Sequence, residues 1–383
     1  MTALVKKNVG HALLLPYPSQ GHVNPMLQFG KRICSHGRSA TAAITRFMAA
    51  TTTPDAGQVS LETISDGFDD GGFAAAESIS AYLASLESVG SQTLDALLQS
   101  LADRGLPVSV VVYDSFLPWA VKVARRHGAA AAAFFTQSVA VDVIYCHVWE
   151  GRLRYPVAAA VEGLPGLPRL EPEELPSFIS APAVQYAAYL EMVVNQYKNL
   201  EDADFMLINS FYELERKEMD WMMSVRTART IGPTVPSAYL DDRIPGDSVY
   251  AIHLYPPETD NCRSWAATLG LGSAIFVSFG SMAELSSDQT AELAFGLVAA
   301  GSPFLWVVRS SEADKLPSGF IAEAKSKGSL VVSWAPQLEI LASGKRHDEI
   351  RTRAAEWREA SRIAMAAGGS SDRNILEFLQ KLC

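Results

Sequence analysis

The chain has few cysteines and no long apolar run, and both absences restrict what it can be. Its 383 residues include four cysteines, none of them in a CxxC pair or a His/Cys cluster. The sequence therefore predicts no zinc site, and it predicts free buried thiols in a reducing compartment. No stretch approaches the roughly 18 apolar residues that a membrane span needs. The first residues, MTALVKKNVGHALLLPYP, lack the pattern of a secretory signal, so we expect a cytoplasmic protein.

Positive charge is scarce relative to negative charge. Lys plus Arg total 32 and Asp plus Glu total 42, which gives a net charge of -10. Because nucleic-acid binding depends on clustered positive charge, this balance argues against nucleic acid as the partner. It leaves room for a local phosphate site, since backbone amides at a helix N-terminus can bind phosphate. The hydrophobic fraction of 48% is enough for a large core.

Short apolar runs alternate with helical stretches, which is typical of parallel sheets with crossover helices. Strands are predicted at 11–16, 109–113, 131–135, 205–209, 274–279, 304–308 and 330–334, and helices at 81–101, 120–126 and 286–300. The first helix is expected to use Asn24 as its cap and Pro25 as its first residue. Ser286 and Gln289 have the spacing of a capping box. A Pro-rich stretch at 233–257 resembles a linker between domains at 1–232 and 258–383.

The second half contains only three clear strands. A doubly wound half usually has about six, and each strand-helix unit takes roughly 30 residues. On that count roughly 80–90 residues are missing, and the break falls between Ser343 and Gly344, where WAPQLEILAS meets a charged helix.

Two polar residues follow predicted strands of the first half. His22 comes just after the first strand, in LLLPYPSQGHVNP, and Asp114 ends the strand SVVVYD. Ligands bind at the carboxyl edge of open α/β sheets, and a carboxylate beside an imidazole orients it as a general base. The alternatives are that His22 is a solvated or capping residue and that Asp114 caps the next turn.

The second half has two weaker signals. Gly280 and Ser281 close the strand AIFVSFGS before a helix, and such a turn suits a pyrophosphate. An ordinary strand-to-helix turn is the commoner explanation for such residues. Trp334 follows the strand LVVSW, and its indole could stack on a base, although a Trp at a strand end is more often a core residue.

Segments spread over nearly the whole chain resemble those of plant UDP-dependent glycosyltransferases of small molecules, in family order. They are PYPSQGHVNPMLQF, VVYDSFLPWA, FFTQS, INSFYELE, TIGPTVPS, VSFGSMAEL, FLWVVR, LPSGF, VVSWAPQLEIL and GGSSDRNILEFL. The resemblance implies an α/β fold of the GT-B type, with two Rossmann-like doubly wound domains of which the second is incomplete. It also implies that the C-terminal helix packs back on the first domain.

The resemblance assigns roles by position. His22 matches the family's base and Asp114 its partner. The donor side comprises Thr136 near the sugar, Gly280 and Ser281 at the phosphate, Trp334 as the uracil platform, Ala335 at the uracil and Gln337 at the ribose. The acceptor pocket is expected near Phe68, Phe116, Trp119 and Trp149. The implied partners are UDP-glucose and a small-molecule acceptor, with no metal or other cofactor and with the protein acting as a monomer.

The resemblance stops abruptly after Ser343. The rest of the family's donor-binding box, with its phosphate-binding His and its residues for the sugar hydroxyls, has no counterpart here. Two function classes therefore stay open. One is an inverting transfer of glucose from UDP-glucose to a lipophilic hydroxyl or carboxyl acceptor, catalytically impaired in this chain. The other is a non-catalytic acceptor-binding or regulatory isoform, or a defective splice or gene-model product.

Overall fold

The computed structural model describes residues 10–52, 54–180, 186–253, 255, 257–270, 273–281, 283–343 and 348–381. The chain forms two compact units, one made of Met1–Ile252 with Trp357–Cys383 and the other of His253–Glu356. The observed division thus falls after Ile252, and most of the stretch proposed as a linker belongs to the first unit. Gly344, on the far side of the predicted break, and Cys383 lie outside the described residues.

The first unit contains a parallel sheet of seven strands. The strands are β1 (His11–Leu15), β2 (Ser39–Thr45), β3 (Ser60–Ile64), β4 (Val110–Asp114), β5 (Ala130–Phe135), β6 (Phe205–Ile208) and β7 (Ala228–Thr230). Their order is β3-β2-β1-β4-β5-β6-β7, and every pairing is parallel. The order reverses between β1 and β4, which makes that junction the topological switch point where doubly wound sheets bind ligands.

Helices cover both faces of this sheet. They are α1 (Gln20–Ser35), α2 (Arg46–Thr51), α3 (Ile79–Asp103), α4 (Ala120–Arg126), α5 (Val139–Trp149), α6 (Ser177–Ser180), α7 (Ala187–Asn195) and α8 (Arg216–Val225). Successive strand residues point to opposite faces, so Leu13 and Leu14 of β1 belong to two different buried clusters. Both faces of the strand are therefore buried, which explains why the strands are apolar throughout rather than alternating.

The last helix of the chain, α14 (Ser370–Gln380), is part of the first unit. Its residues Ile375, Phe378 and Leu379 are buried in the cluster that contains Leu14. Arg229 on β7 forms a bidentate ion pair with Glu377, with N–O distances of 2.9 and 3.0 Å. The last helix of the chain therefore belongs to the first unit, although the second unit precedes it in the sequence.

The second unit is smaller. Its strands are β8 (Ile275–Ser278), β9 (Phe304–Val307) and β10 (Leu330–Val332), and its helices are α9 (Thr259–Ala267), α10 (Ser287–Ala299), α11 (Phe320–Ser326) and α12 (Gln337–Ser343). A further helix, α13 (Asp348–Met365), runs across the boundary between the units. Within the described residues the sheet of this unit has three parallel strands in the order β10-β9-β8.

The predicted start of the first helix is wrong, whereas the capping box of α10 is confirmed. Helix α1 begins at Gln20, because the carbonyl of Ser19 accepts from the amides of His22 and Val23, both at 2.9 Å. Asn24 is thus inside the helix, where its side chain bonds the backbone N–H and C=O of Ile252. In α10, the side chains of Ser286 and Gln289 each accept from the other's backbone amide.

Cys34, Cys146 and Cys262 are free thiols, and the last two are buried. None of the helices in the described part of the chain is long and apolar enough to cross a membrane.

Candidate active site

The candidate site lies at the carboxyl ends of β1 and β4. These neighbouring strands pair in parallel, with Leu15 opposite Tyr113. The chain turns directly from β1 into α1 and places His22 in the first turn of that helix. Asp114 is the last residue of β4. The switch point of the sheet therefore brings together two residues that are 92 positions apart.

Asp114 and His22 form a hydrogen-bonded pair. Nδ1 of His22 lies 2.7 Å from Oδ2 of Asp114. Asp114 is completely buried, while the His22 side chain is 16% exposed. Because the carboxylate accepts at Nδ1, the proton of a neutral imidazole is held there and Nε2 is left with its lone pair. No described residue bonds Nε2, so it can accept a proton from a ligand.

The second carboxylate oxygen of Asp114 has a local role. Oδ1 accepts from the backbone amide of Phe116 at 3.1 Å, which is the turn-capping role considered from the sequence. The two interpretations of Asp114 are therefore compatible: one oxygen fixes the loop after β4 and the other orients His22. A carboxylate held in this way presents a fixed acceptor to the imidazole.

Aromatic rings surround the imidazole. Tyr17 meets His22 edge to face, with ring centroids 5.4 Å apart, and Phe116 lies 4.9 Å from His22. Tyr17 and Phe116 also meet each other edge to face at 5.8 Å. The imidazole of His22 therefore contacts the carboxylate of Asp114 through Nδ1 and packs against two aromatic rings.

Three of the four residues proposed for the acceptor pocket pack on one core. Phe68 and Phe116 are partly buried against the cluster that contains Trp119. Phe68 also contacts Tyr82, with ring centroids 5.6 Å apart. Trp149 lies at the end of α5 with 40% of its surface exposed and is not among the residues packed on that core.

Thr136, proposed to lie near the donor sugar, follows β5 directly and is partly buried. Strand β5 pairs with β4, with Phe134 opposite Asp114. Thr136 therefore lies at the same carboxyl edge as the His22–Asp114 pair.

Several residues near this edge were not singled out from the sequence. Tyr17 lies in the quoted motif PYPSQGH, so that motif was the available signal. Ser115 donates to Oε1 of the buried Gln196 at 3.2 Å. Asp142 in the first turn of α5 is completely buried, and neither carboxylate oxygen has a partner among the described residues. Gln196 and Asp142 belong to no recognised sequence motif. Only the tertiary fold places them near this edge of the sheet.

In the second unit, Gly280 and Ser281 form the turn after β8. Gly280 has a positive φ of 73°, a conformation that favours glycine. Arg309, which follows β9, holds this loop by donating to the carbonyls of Ser281 and Ala283. Arg309 therefore links the turn after β8 to the end of the neighbouring strand β9.

Trp334 and Ala335 are buried in a small core of the second unit. Trp334 is only 5% exposed, and Tyr255 lies on it with ring centroids 4.9 Å apart. Gln337, the first residue of α12, donates to the hydroxyl of Ser278 at 3.4 Å. Gln337 therefore lies at the carboxyl end of β8, whose last residue, Ser278, precedes Gly280 by two positions. In the described part of the chain, no group of three or more His, Cys, Asp or Glu side chains is placed to hold a metal.

Comparison with known proteins identifies the family. No family model matches the chain. The chain is 39% identical to crocetin glucosyltransferase 2 of Crocus sativus, over 99% of this chain and 98% of that protein. The chain belongs to the plant UDP-glycosyltransferases. It is also 44% identical to UDP-glycosyltransferase 74F2 of Arabidopsis thaliana, over 87% of this chain and 73% of that protein.

Solved structures of this family agree with the fold. Os79 from O. sativa in complex with UDP matches with a TM-score of 0.87 and 34% identity, over 97% of this chain and all of that one. Other structures of Os79 contain a trichothecene or UDP with deoxynivalenol-3-glucoside. The predicted fold class, α/β of the GT-B type, is confirmed.

One difference in length separates this chain from its relatives. The alignment with crocetin glucosyltransferase 2 extends over 454 positions, more than the 383 residues of the chain. That relative therefore carries residues for which this chain has no counterpart.

Proposed function

We propose that the chain is built as an inverting transferase that moves glucose from UDP-glucose to a small lipophilic hydroxyl or carboxyl acceptor. The observation that carries this proposal is the 2.7 Å contact between Nδ1 of His22 and the buried carboxylate of Asp114. It supplies a base whose Nε2 is free among the described residues, at the switch point of a parallel sheet. The names of relatives such as crocetin glucosyltransferase 2 support glucose as the sugar.

The reaction follows from this geometry. Nε2 of His22 takes the proton of the acceptor hydroxyl, and Asp114 stabilises the resulting imidazolium. The acceptor oxygen donates its electron pair to the anomeric carbon of glucose from the side opposite UDP. The bond from that carbon to the UDP oxygen breaks, and UDP leaves with the electron pair. One displacement inverts the anomeric carbon and gives a β-glycoside.

The donor would be held by the residues that match the family by position. Gly280 and Ser281 would meet the phosphates, Trp334 and Ala335 the uracil, and Gln337 the ribose. Thr136 would lie near the sugar. We further propose a cytoplasmic monomer that uses the UDP-sugar as a co-substrate and needs no metal or other cofactor.

We also propose that donor binding is impaired in this chain, because a block of the donor-binding box is deleted between Ser343 and Gly344. The longer alignment with crocetin glucosyltransferase 2 and the three-stranded sheet of the described second unit support a deletion. The family's missing residues would stabilise charge on the departing UDP. Each such preorganised contact is commonly worth ~3–4 kcal/mol of the barrier, so losing several would bring transfer close to background.

A second candidate is a non-catalytic protein that binds acceptors. The complete seven-stranded sheet of the first unit, with its His22–Asp114 pair, favours this alternative. Such a protein would retain the acceptor pocket without turning over a donor.

A product assay separates these candidates. The unmodified chain and a version with the aligned block of crocetin glucosyltransferase 2 inserted after Ser343 would be incubated with UDP-glucose and a panel of phenols and carboxylic acids. We expect near-background product from the unmodified chain and clear product from the extended one. Turnover by the unmodified chain would refute the impairment. An extended version that folds, binds UDP and makes no product would refute the transferase.

A further inference from the structure

The first turn of helix α1, which carries His22, is weakly held by the helix itself. The side chain of Ser19, at the N-cap position, makes no capping hydrogen bond, although such a bond usually stabilises the start of a helix. Gly21 lies in this turn, and glycine is an unfavourable residue inside a helix. Pro25 has no N–H to donate to the carbonyl of Gly21 four residues earlier. The position of His22 therefore depends on contacts from outside α1.

One such contact comes from the side chain of Asn24. Its Nδ2 donates to the carbonyl of Ile252, and its Oδ1 accepts from the amide of the same residue, both at 2.9 Å. Asn24 is 4% exposed and Ile252 is 1% exposed. Because both residues are buried, bulk water does not replace these hydrogen bonds when the Asn24 side chain is removed.

The segment that leads to Ile252 is itself fixed along α1. Lys31 forms a buried ion pair with Asp247, with Nζ 2.8 Å from Oδ1, and Gln28 donates to the same oxygen at 3.4 Å. Asn24, Gln28 and Lys31 recur at intervals of four and three residues, so they lie on one face of the helix. Asn24 is therefore the first of several contacts that join this face to the segment.

His22 and Asn24 hold the same turn from different sides. Residues two positions apart in a helix point to nearly opposite sides of its axis. His22 meets Asp114 at the end of β4, with Nδ1 2.7 Å from Oδ2, whereas Asn24 meets Ile252. The turn is therefore fixed between a strand of the sheet and the segment that ends the first unit.

We propose that Asn24 is a positioning residue for the base: its two hydrogen bonds to Ile252 hold the first turn of α1 where Nδ1 of His22 meets Asp114. This rests on the assignment of His22 as the base in the proposed transfer. An imidazole that loses its carboxylate partner also loses the preference for a proton on Nδ1, and with it the lone pair on Nε2. Asn24 acts only through the backbone of the turn.

The location of the proton on the His22 ring tests the proposal without a donor or an acceptor. The ring nitrogen signals of a chain labelled with 15N-histidine would be recorded by NMR in mildly alkaline buffer, since the tautomers differ only in the neutral ring. The signals of His22 would be assigned by their loss in His22→Gln. We expect the unmodified chain to carry the proton on Nδ1. Asn24→Ala should move the two ring nitrogen signals towards each other, as exchange between two tautomers does.

Asn374→Ala is the matched control. Asn374 also donates to a backbone carbonyl, that of Thr230, at 2.9 Å and in the same unit, so its loss removes a comparable hydrogen bond. This variant should lower the Tm and leave the His22 signals unchanged. A comparable change of the His22 signals in Asn374→Ala and Asn24→Ala would mean that any loosening of the unit disturbs the ring, and it would overturn the proposal.

Asn24→Asp is a second variant, which keeps the shape of the side chain and removes the donor to the Ile252 carbonyl. It should move the His22 signals in the same direction, and it decides the question if Asn24→Ala does not fold. Unchanged His22 signals in a folded variant of Asn24 overturn the proposal. A proton on Nε2 in the unmodified chain overturns it together with the assigned base. The expected ring signals in a chain that forms no glucoside contradict only the proposed transfer.

Discussion

Asp114 is completely buried, yet its Oδ2 lies 2.7 Å from Nδ1 of His22, whose side chain is 16% exposed. The inner residue therefore cannot reach a ligand, and the outer one can. In the proposed transfer, Asp114 would therefore act on the acceptor only through the imidazole of His22, and the contributions of the two residues to catalysis would depend on each other.

The pair should behave as one unit in a version of the chain that carries the missing block. We expect His22→Ala and Asp114→Ala each to lower kcat by about 10²–10⁴, the usual contribution of general base catalysis. The double variant should be little worse than either single one, because the carboxylate works through the imidazole. Asp70→Asn, on an exposed carboxyl, is the control. Full activity of Asp114→Asn would show that the carboxylate does not orient the base.

Much of the sheet could be predicted because its strands are short, apolar and fully buried. The predicted run 131–135 corresponds to Ala130–Phe135, and 205–209 to Phe205–Ile208. Strand β2, with the sequence SATAAIT, was missed because its commonest residue is Ala, which is depleted in strands. Strand β7 was missed because three residues are too few to show a pattern.

The site was predictable where it coincides with strand ends. The carboxyl-edge rule places the start of α1, which follows β1, beside the last residue of β4, and it correctly predicted that His22 and Asp114 lie together. It could not find Gln196, which reaches Ser115 from the end of α7. The predicted start of α1 was wrong for a related reason. The side chain of Asn24 forms hydrogen bonds with the backbone of Ile252, which is distant in sequence, and does not cap the helix.

Asp142 should weaken the first unit as the pH rises. Burial, and then the nearby Glu215, raise the pKa of this carboxyl well above its ordinary value. The folded state therefore holds the proton at pH values where the unfolded state has released it, and the free energy of unfolding falls as the pH rises above the ordinary Asp range. We expect Asp142→Asn to remove this pH dependence and to stabilise the protein near neutral pH by at least about 1 kcal/mol. Thermal unfolding from mildly acidic to neutral pH would measure it.

The control for this prediction is Asp70→Asn, which changes an exposed carboxyl of the same unit. It should leave the pH dependence of the Tm unchanged. If Asp142→Asn lowers the Tm at every pH, the carboxyl has a partner that stabilises its charged form, and the prediction is wrong.

The C-terminal helix should stabilise the first unit although the second unit precedes it in the chain. Phe378 is completely buried and contacts Phe29 and Phe205, with ring centroids 5.8 and 5.5 Å apart. We expect Phe378→Ala to cost about 3–5 kcal/mol, as for other buried aromatic residues. Leu376→Ala, on a residue that is 39% exposed, should cost less than about 1 kcal/mol. Urea unfolding would measure the free energy of unfolding of both variants. Similar losses in the two variants would mean that the packing of Phe378 does not stabilise the first unit.

The chain as it stands should bind nucleotide poorly. Trp334 contacts the core of the second unit on one side and is covered by Tyr255, so a base could stack on it only after Tyr255 moves. The remaining contacts are few, and the entropy of association consumes much of what they supply. We expect UDP and UDP-glucose to bind in about the millimolar range or not at all.

Substitutions of Tyr255 test whether this residue blocks stacking of a base on Trp334. Stacking on an aromatic ring is worth ~1–3 kcal/mol per base, so Tyr255→Ala should strengthen UDP binding by roughly tenfold, whereas Tyr255→Phe keeps the ring in place and should change nothing. Calorimetry with UDP would measure both variants beside the unmodified chain. An affinity for UDP that does not respond to Tyr255→Ala would mean that the base binds away from Trp334. Micromolar binding with turnover by the unmodified chain would show that residues after Gly344 replace the contacts of the missing block.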